Sequence, residues 1–461
     1  MDPAQLAQEA SRLKALGKLD EAIGAYAEIT RLSPISAVAE HNLAAALGDA
    51  GRHGECEAHI RKSLALGSDA GETWLVLARA LMGLKRFDQA GQAFRTAIAR
   101  KATLYDAHRE LAQLCWMMSA DIEAALADID QAARSRPADI RLQALKAQIL
   151  ETVGEREKSN ALISALARAH ADEPAICVQA AQSAQAIGDL VGALGFAERA
   201  AQLAPGNAAT SVTLAEACLG VGDAKRAADV ALATLVHTPN NQHAIALAAT
   251  AWRMLGDFRY RELYDYEAFV RPMWIVTPAG WRDLDHYIAD VKEALAAEHG
   301  FSAHPMNQSI RFGTQATNIL QCEHAALKAL PRALDGPINE YLGALGQGAD
   351  PLRSRNRGQY RFHGMWSIRM QAGGFHIDHV HAQGWISSAC YVALPPLSKD
   401  KEGWIRFGQP GIKTTPPLEA EHFVEPAPGR LVLFPSYMWH GTVAYSEPGE
   451  RMTFAFDLLP A

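Results

Sequence analysis

The 461-residue chain has six cysteines but no CxxC pair, no apolar run of membrane-spanning length, and no surplus of positive charge. Each absence excludes something. Cys56, Cys115, Cys177, Cys218, Cys322 and Cys390 are scattered, which suits a reducing compartment and not a disulfide framework. The opening stretch MDPAQLAQEASRLKALGKLDEA carries acids from its second residue and no long apolar core, so no signal peptide is legible. Without a run of about 20 apolar residues no transmembrane helix is expected. A net charge of −7 argues against nucleic acid or another polyanion as the main partner. These points together lead us to expect a cytoplasmic protein with neither membrane nor nucleic acid as partner. What is present, 49% hydrophobic and 21% charged residues, suits a globular chain of about two or three domains.

The first half repeats itself. Gly17 is followed five residues later by Ala22, and the same pairing recurs as Gly51 with Cys56, Lys85 with Ala90, and Ser119 with Ala124. It continues as Gly154 with Ser159, Gly188 with Ala193 and Gly222 with Ala227, and Gly256 closes the series. The step is 34 residues, with a single step of 35 placed after Ser119. Pro34, Pro137, Pro174, Pro205 and Pro239 stand where second helices should end. A turn residue, a small residue where two helices touch and a closing proline at this period resemble the tetratricopeptide repeat. Each such unit leaves an apolar face that only its neighbour covers. Residues 1–265 are therefore expected to form an all-α solenoid of about eight helix pairs. Such arrays offer a concave groove for a peptide or protein, and self-association into a homodimer is the competing use.

From FRYRELYDYEAFVRPMWI (258–275) onward, aromatics and prolines rise and the alanine-rich period stops, which places a boundary at 265–275. Helical periodicity covers 281–300 and again 323–345. After Arg361 come the short strand-like runs FHGMWSIRMQ, WISSACYVAL, GRLVLFPS and RMTFAFDLL, bounded by Gly, Pro and Ser. Flanking helices before many short strands suggest a sandwich or jelly-roll barrel over residues 275–461.

That region holds GGFHIDHVHAQGW (373–385). On an extended strand His379 and His381 share one face, while His376 and Asp378 share the other. Two chelating pairs are thus available, and His440, after a later apolar strand, returns toward the same mouth. Three imidazoles suit non-haem iron with open positions, and they also suit catalytic zinc. Arg451 and Thr453 alternate onto one face of the last strand, where a guanidinium and a hydroxyl can clamp a carboxylate. Trp385, Trp404 and Trp439 are candidates for pocket walls or for barrel core. The basic run SRNRGQYR (354–361) reads as a solvated loop, with a contact for an acidic substrate as the alternative.

Gly373, His379, His381, ISSACYV (386–392) and PGRLVLFPSYMWHG (428–441), with NQSIRFGTQATNIL (307–320) upstream, resemble the 2-oxoglutarate- and Fe(II)-dependent oxygenases. The likeness is to a bacterial group related to prolyl and aspartyl/asparaginyl hydroxylases, and it covers about residues 275–461. It implies a double-stranded β-helix (cupin-like) barrel, with Fe(II) and 2-oxoglutarate as cofactors. It further implies His379 and His440 as iron ligands, with His381 where the usual carboxylate ligand stands and Asp378 as the alternative third ligand. Arg451 would take the distal carboxylate of 2-oxoglutarate, with Thr453 beside it. An all-nitrogen triad leaves the centre one charge more positive than His-x-Asp would. The implied activity is hydroxylation of a peptide or protein held by the repeats. Competing readings are a small-molecule substrate with repeats used for dimerisation, a zinc-dependent hydrolase, and a non-catalytic binding scaffold.

Overall fold

The computed structural model describes residues 2–306, 308–397 and 399–461; Asn307, at the head of the 307–320 element, lies outside them. The chain divides into two compact units, residues 1–149 and 150–461.

The first unit is helical. Its pairs begin with Pro3–Ala15 and Leu19–Leu32 and run on to Tyr105–Ser119 and Ile122–Ser135. Each pair turns through one residue with positive φ: Gly17 at 74°, Gly51 at 73°, Lys85 at 58° and Ala120 at 56°. The spacing places the fourth turn at Ser119, but the structure places it at Ala120. Ser119 is the last residue of its helix, and its hydroxyl donates back to the Cys115 carbonyl at 2.8 Å. The long step therefore runs from Lys85 to Ala120, before this turn and not after it. The packed small residue is accordingly Ala125, which is buried, in place of the half-buried Ala124. Like Ala22, Cys56 and Ala90 it is almost wholly buried, where a larger side chain would overpack.

The second unit opens inside the helix Ile140–Thr152 and keeps the same rhythm, with positive φ at Gly154, Gly188, Gly222 and Gly256. Its last repeat is cut short: Gln242–Leu255 is followed by the five-residue helix Arg259–Leu263. Pro174 departs from the expected pattern. It is the first residue of the helix Pro174–Ile187, where its missing N–H is harmless, whereas the other four prolines follow helix ends.

Among the described residues nine strands follow: β1 (Arg271–Trp274), β2 (Ile310–Ala316), β3 (Tyr360–His376), β4 (Ile386–Ala393), β5 (Ile405–Phe407), β6 (His422–Val424), β7 (Arg430–Pro435), β8 (His440–Thr442) and β9 (Arg451–Pro460). They form a six-stranded sheet in the order β1-β7-β4-β9-β3-β2 and a three-stranded sheet β6-β5-β8, with every pairing antiparallel. Alternation on β9 sends Met452, Phe454, Phe456 and Leu458 into the core, with Leu295 and Leu334 from the helices Leu284–Glu298 and Leu330–Leu345. The opposite face carries Arg451, Thr453, Ala455 and Asp457 into a cavity. The same core continues through the last repeats. Trp439 Nε1 donates to Thr250 Oγ1 at 3.0 Å, and the Tyr264 hydroxyl donates to the Tyr437 carbonyl at 3.1 Å. Thr415 N donates to the Leu219 carbonyl at 3.1 Å. Composition changes where helix pairs give way to β1, while compactness divides the chain between residues 149 and 150.

Candidate metal centre

Regular strand β3 stops at His376, and the chain then lies alongside residues 436–440. His379 N donates to the His440 carbonyl at 2.9 Å, His440 N donates back to the His379 carbonyl at 3.1 Å, and His381 N donates to the Ser436 carbonyl at 3.0 Å. These bonds set His379, His381 and His440 side by side. Strict alternation would turn His376 away together with Asp378. The end of the strand breaks that rule, and His376 lines the same cavity as the other histidines. Asp378 does turn away. Its carboxylate receives Arg406 in a two-pronged pair, Nε to Oδ1 at 2.9 Å and Nη2 to Oδ2 at 2.5 Å. Gly441 permits this, since a Cβ there would sit 2.5 Å from Asp378 Oδ1.

The hydrogen bonds of the three rings fix their tautomers. His379 Nδ1 donates to the Ile377 carbonyl at 2.8 Å and His440 Nδ1 to the Met438 carbonyl at 2.9 Å. Carbonyls only accept, so each Nδ1 carries the proton and each Nε2 a lone pair. His381 Nδ1 donates to Asp457 Oδ1 at 2.6 Å. His379 and His381 then bring their Nε2 atoms to 3.1 Å. Two nitrogens held about 2.1 Å from one ion at 90–109° stand about 3.0–3.4 Å apart. The three residues' ligand atoms all lie within 4.8 Å of one another, and the group could hold a metal ion.

Burial, then the neighbouring imidazoles, pushes His379 down to about 3 and His440 well below its ordinary value, so both rings are neutral at neutral pH. Burial alone would raise the Asp457 carboxyl. His381 and Ser387 outweigh it and hold Asp457 below the usual carboxylate range. Ser387 Oγ donates to Asp457 at 2.7 Å and meets Ser436 Oγ at 2.8 Å. Gly384 makes room for that chain of hydroxyls, because a Cβ there would fall 2.2 Å from Ser436 Oγ. A carboxylate behind a ligating histidine orients the ring and returns negative charge to the centre.

The cavity measures about 640 Å³. Residues of both sheets line it, including Ile368, Ser388, Ile405 and Phe434. Arg451 and Thr453 stand in its wall, both buried. Arg451 forms no ion pair among the described residues; it reaches Met370 Sδ at 3.7 Å and stacks 5.3 Å over the Tyr391 ring. Tyr391 feels the guanidinium electrostatically, yet neither its hydroxyl nor Arg451 Nε makes a hydrogen bond of normal geometry. Burial lowers the Arg451 proton affinity. A buried cation with an unanswered donor marks a place for an anion.

The tryptophan that lines the cavity is Trp366, 5.7 Å from the His381 ring, and none of the three expected ones does so. Trp385 is core and donates to the Leu352 carbonyl at 2.8 Å, and Trp439 faces Thr250. The run 354–361 is largely exposed, as a solvated loop would be, except that Asn356 is buried and donates to the Leu342 and Gly346 carbonyls at 2.9 and 2.8 Å.

Residues 364–457 match the family described as "Putative 2OG-Fe(II) oxygenase". That span contains all three clustered histidines, Arg451 and Thr453, and it ends at Asp457. Residues 71–103 match the tetratricopeptide repeat family. The chain thus carries an N-terminal tetratricopeptide-like solenoid and a C-terminal antiparallel sheet domain consistent with a 2-oxoglutarate/Fe(II) oxygenase fold. No curated protein matches the chain. Solved structures similar to it include a tetratricopeptide repeat protein from Parabacteroides merdae, 16% identical, covering 53% of this chain and 97% of that one with a TM-score of 0.38. The first tetratricopeptide domain of Spaghetti bound to an HSP90 peptide is 20% identical, covers 24% of this chain and 89% of that one, and has a TM-score of 0.24. Naa15/Naa10 bound to HypK-THB is 17% identical, covers 58% of this chain and 42% of that one, and has a TM-score of 0.29. Among the described residues no helix is long and apolar enough to cross a membrane.

Proposed function

We propose that the chain is a 2-oxoglutarate- and Fe(II)-dependent oxygenase. One observation carries the reading: three Nε2 lone pairs and a buried guanidinium without an ion pair open into a single cavity. The donor set fits the cofactors. His379, His381 and His440 would hold the iron, and Asp378, committed to Arg406, would not. Arg451 would take the distal carboxylate of 2-oxoglutarate, with Thr453 and the Tyr391 hydroxyl beside it. When bound, Fe(II) and 2-oxoglutarate supply the oxidation of a substrate C–H bond by dioxygen, with succinate and carbon dioxide as co-products.

The chain's own residues position and enclose. Asp457, Ile377 and Met438 hold the three rings in one tautomer, so no reorganisation is needed to receive the ion. Ile368, Ile405 and Phe434 exclude water around it. The substrate is a peptide or protein segment, for which the repeats would supply an extended binding surface. Six free cysteines suit a reducing, cytoplasmic setting.

The test is succinate release from 2-oxoglutarate by anaerobically purified, iron-loaded protein after oxygen is admitted, with mass spectrometry of peptides captured by His440→Ala. Oxygen-dependent succinate and a captured peptide that gains one oxygen atom support the reading. Bound zinc with hydrolysis and no succinate overturns it.

A further inference from the structure

The motif at 307–320 contributes a second guanidinium to the cavity. Arg311, on β2, lines the same space as the histidines and Arg451. Its Nη1 donates only to the Gln308 and Ile310 carbonyls, each at 2.7 Å, and among the described residues Arg311 forms no ion pair. Its place is fixed by an unusual backbone. The neighbouring Phe312 has φ 54° and an exposed ring, and β2 shifts register between Arg311 and Gly313. A Cβ at Gly313 would lie 2.5 Å from the Arg369 carbonyl, so the chain is pressed against β3 immediately after the bulge. A bulky residue held at positive φ is strain that commonly serves a site.

Two residues of the repeat region, Glu151 and Arg156, act electrostatically on Arg311. Glu151 lines the cavity, and its Oε1 lies 3.6 Å from Arg156 Nε. Burial lowers the proton affinity of Arg311, Arg156 lowers it further and Glu151 raises it, so the three charges sense one another. Two guanidiniums against one carboxylate leave one positive charge in excess. The rest of the cavity cannot answer it, because Asp457 is engaged by His381. Gln308, Ser309, Gln315 and Gln383 surround this end with neutral hydrogen-bonding groups.

We infer that Arg311 anchors a carboxylate of the substrate at the cavity mouth. This rests on the oxygenase reading above, in which Arg451 is already taken by 2-oxoglutarate. A single excess charge among neutral amides suits one carboxylate, which can come from an acidic side chain or from a peptide's C-terminus. Arg311 is then a specificity residue, and Glu151 and Arg156 tie that specificity to the repeats.

The experiment uses the full chain loaded with Mn(II) and 2-oxoglutarate under nitrogen, titrated calorimetrically with three probes. N-acetyl-aspartyl methylamide carries a side-chain carboxylate, N-acetylalanine a terminal one, and N-acetyl-asparaginyl methylamide none. At least one carboxylate probe should bind, and the neutral probe should bind at least about tenfold more weakly. Whichever carboxylate binds names the source. Arg311→Gln should weaken that binding at least about tenfold while leaving 2-oxoglutarate affinity unchanged, and Arg311→Lys, which keeps the charge but loses the fork, should retain part of it. Equal binding of the neutral probe, no binding of either carboxylate, or unchanged binding by Arg311→Gln overturns the proposal. Loss of 2-oxoglutarate binding in Arg311→Gln would reassign Arg311 to the co-substrate and also overturn it. Failure of the wild type to take up Mn(II) and 2-oxoglutarate sinks the oxygenase reading first, and this proposal with it.

Discussion

The Nε2 atoms of His379 and His381 face each other across 3.1 Å while each ring's Nδ1 is engaged elsewhere. Two ring nitrogens at that distance need a shared proton or a metal cation between them. His379→Ala and His440→Ala should therefore each lower iron affinity by more than about a hundredfold, read by metal analysis after dialysis. Asp378→Ala should leave iron bound. Its cost should be about 2 kcal/mol of stability, below that of a fully buried pair because Arg406 keeps some solvent contact. Iron loss in Asp378→Ala alone would reverse the choice of triad.

Arg451 is buried without an ion pair, so its charge costs stability until an anion arrives. Arg451→Met should be at least as stable as wild type without ligands. The wild type should melt higher with 2-oxoglutarate, Arg451→Met should not, and its succinate release should fall at least about tenfold. Calorimetric melts with and without 2-oxoglutarate check this.

Asp457 stands behind His381, and Asp457→Asn keeps the shape but removes the charge. Iron affinity should fall roughly 10–100-fold with the fold intact, as outer-shell changes at metal sites do. A larger effect from Asp457→Asn than from His381→Ala would point to Asp457 itself as the ligand.

Metal-free protein should be acid-sensitive. Unfolded, the histidines take up protons near about pH 6.5; folded, His379 does so only at about 3, and His440 also far below its ordinary value. Their contribution is complete above about pH 6.5 and declines as pH falls toward that of the folded rings. The slope is at most about 1.4 kcal/mol per pH unit for each ring, less where cavity water screens it. Denaturant midpoints of the metal-free protein between pH 7 and pH 4 test this, and a flat profile would refute the burial of neutral rings.

Ala120 holds a left-handed turn that glycine occupies in most repeats. Ala120→Gly should raise stability by about 0.5–1 kcal/mol, and Gly154→Ala should lower it by a similar amount. Both follow from urea midpoints.

The meeting of His379, His381 and His440 in one cavity is legible in sequence because histidines crowd one short stretch and recur after a later apolar strand, and period-two alternation gives the direction of Arg451 on β9. The same alternation from Arg451 through Thr453 leads to Asp457, whose part is hidden in sequence because an acid near a strand end looks like surface. His376 escaped the rule because the strand ends at that residue, which no period can foresee. Strands β5, β6 and β8, at three residues each, are too short to show a period. The 34-residue spacing puts the fourth repeat turn one position early, at Ser119, because neither it nor Ala120 is glycine and only the backbone separates them. Trp366 and the three other tryptophans look alike in sequence, and burial alone sorts wall from core.

The bond from Trp439 to Thr250 ties the residue just before His440 to a helix of the last repeat. Cutting the gene at the apparent join near residue 270 would leave that indole facing water beside the metal position. A workable catalytic fragment, or a chimaera with a foreign array, must carry the terminal repeats along as part of its own wall.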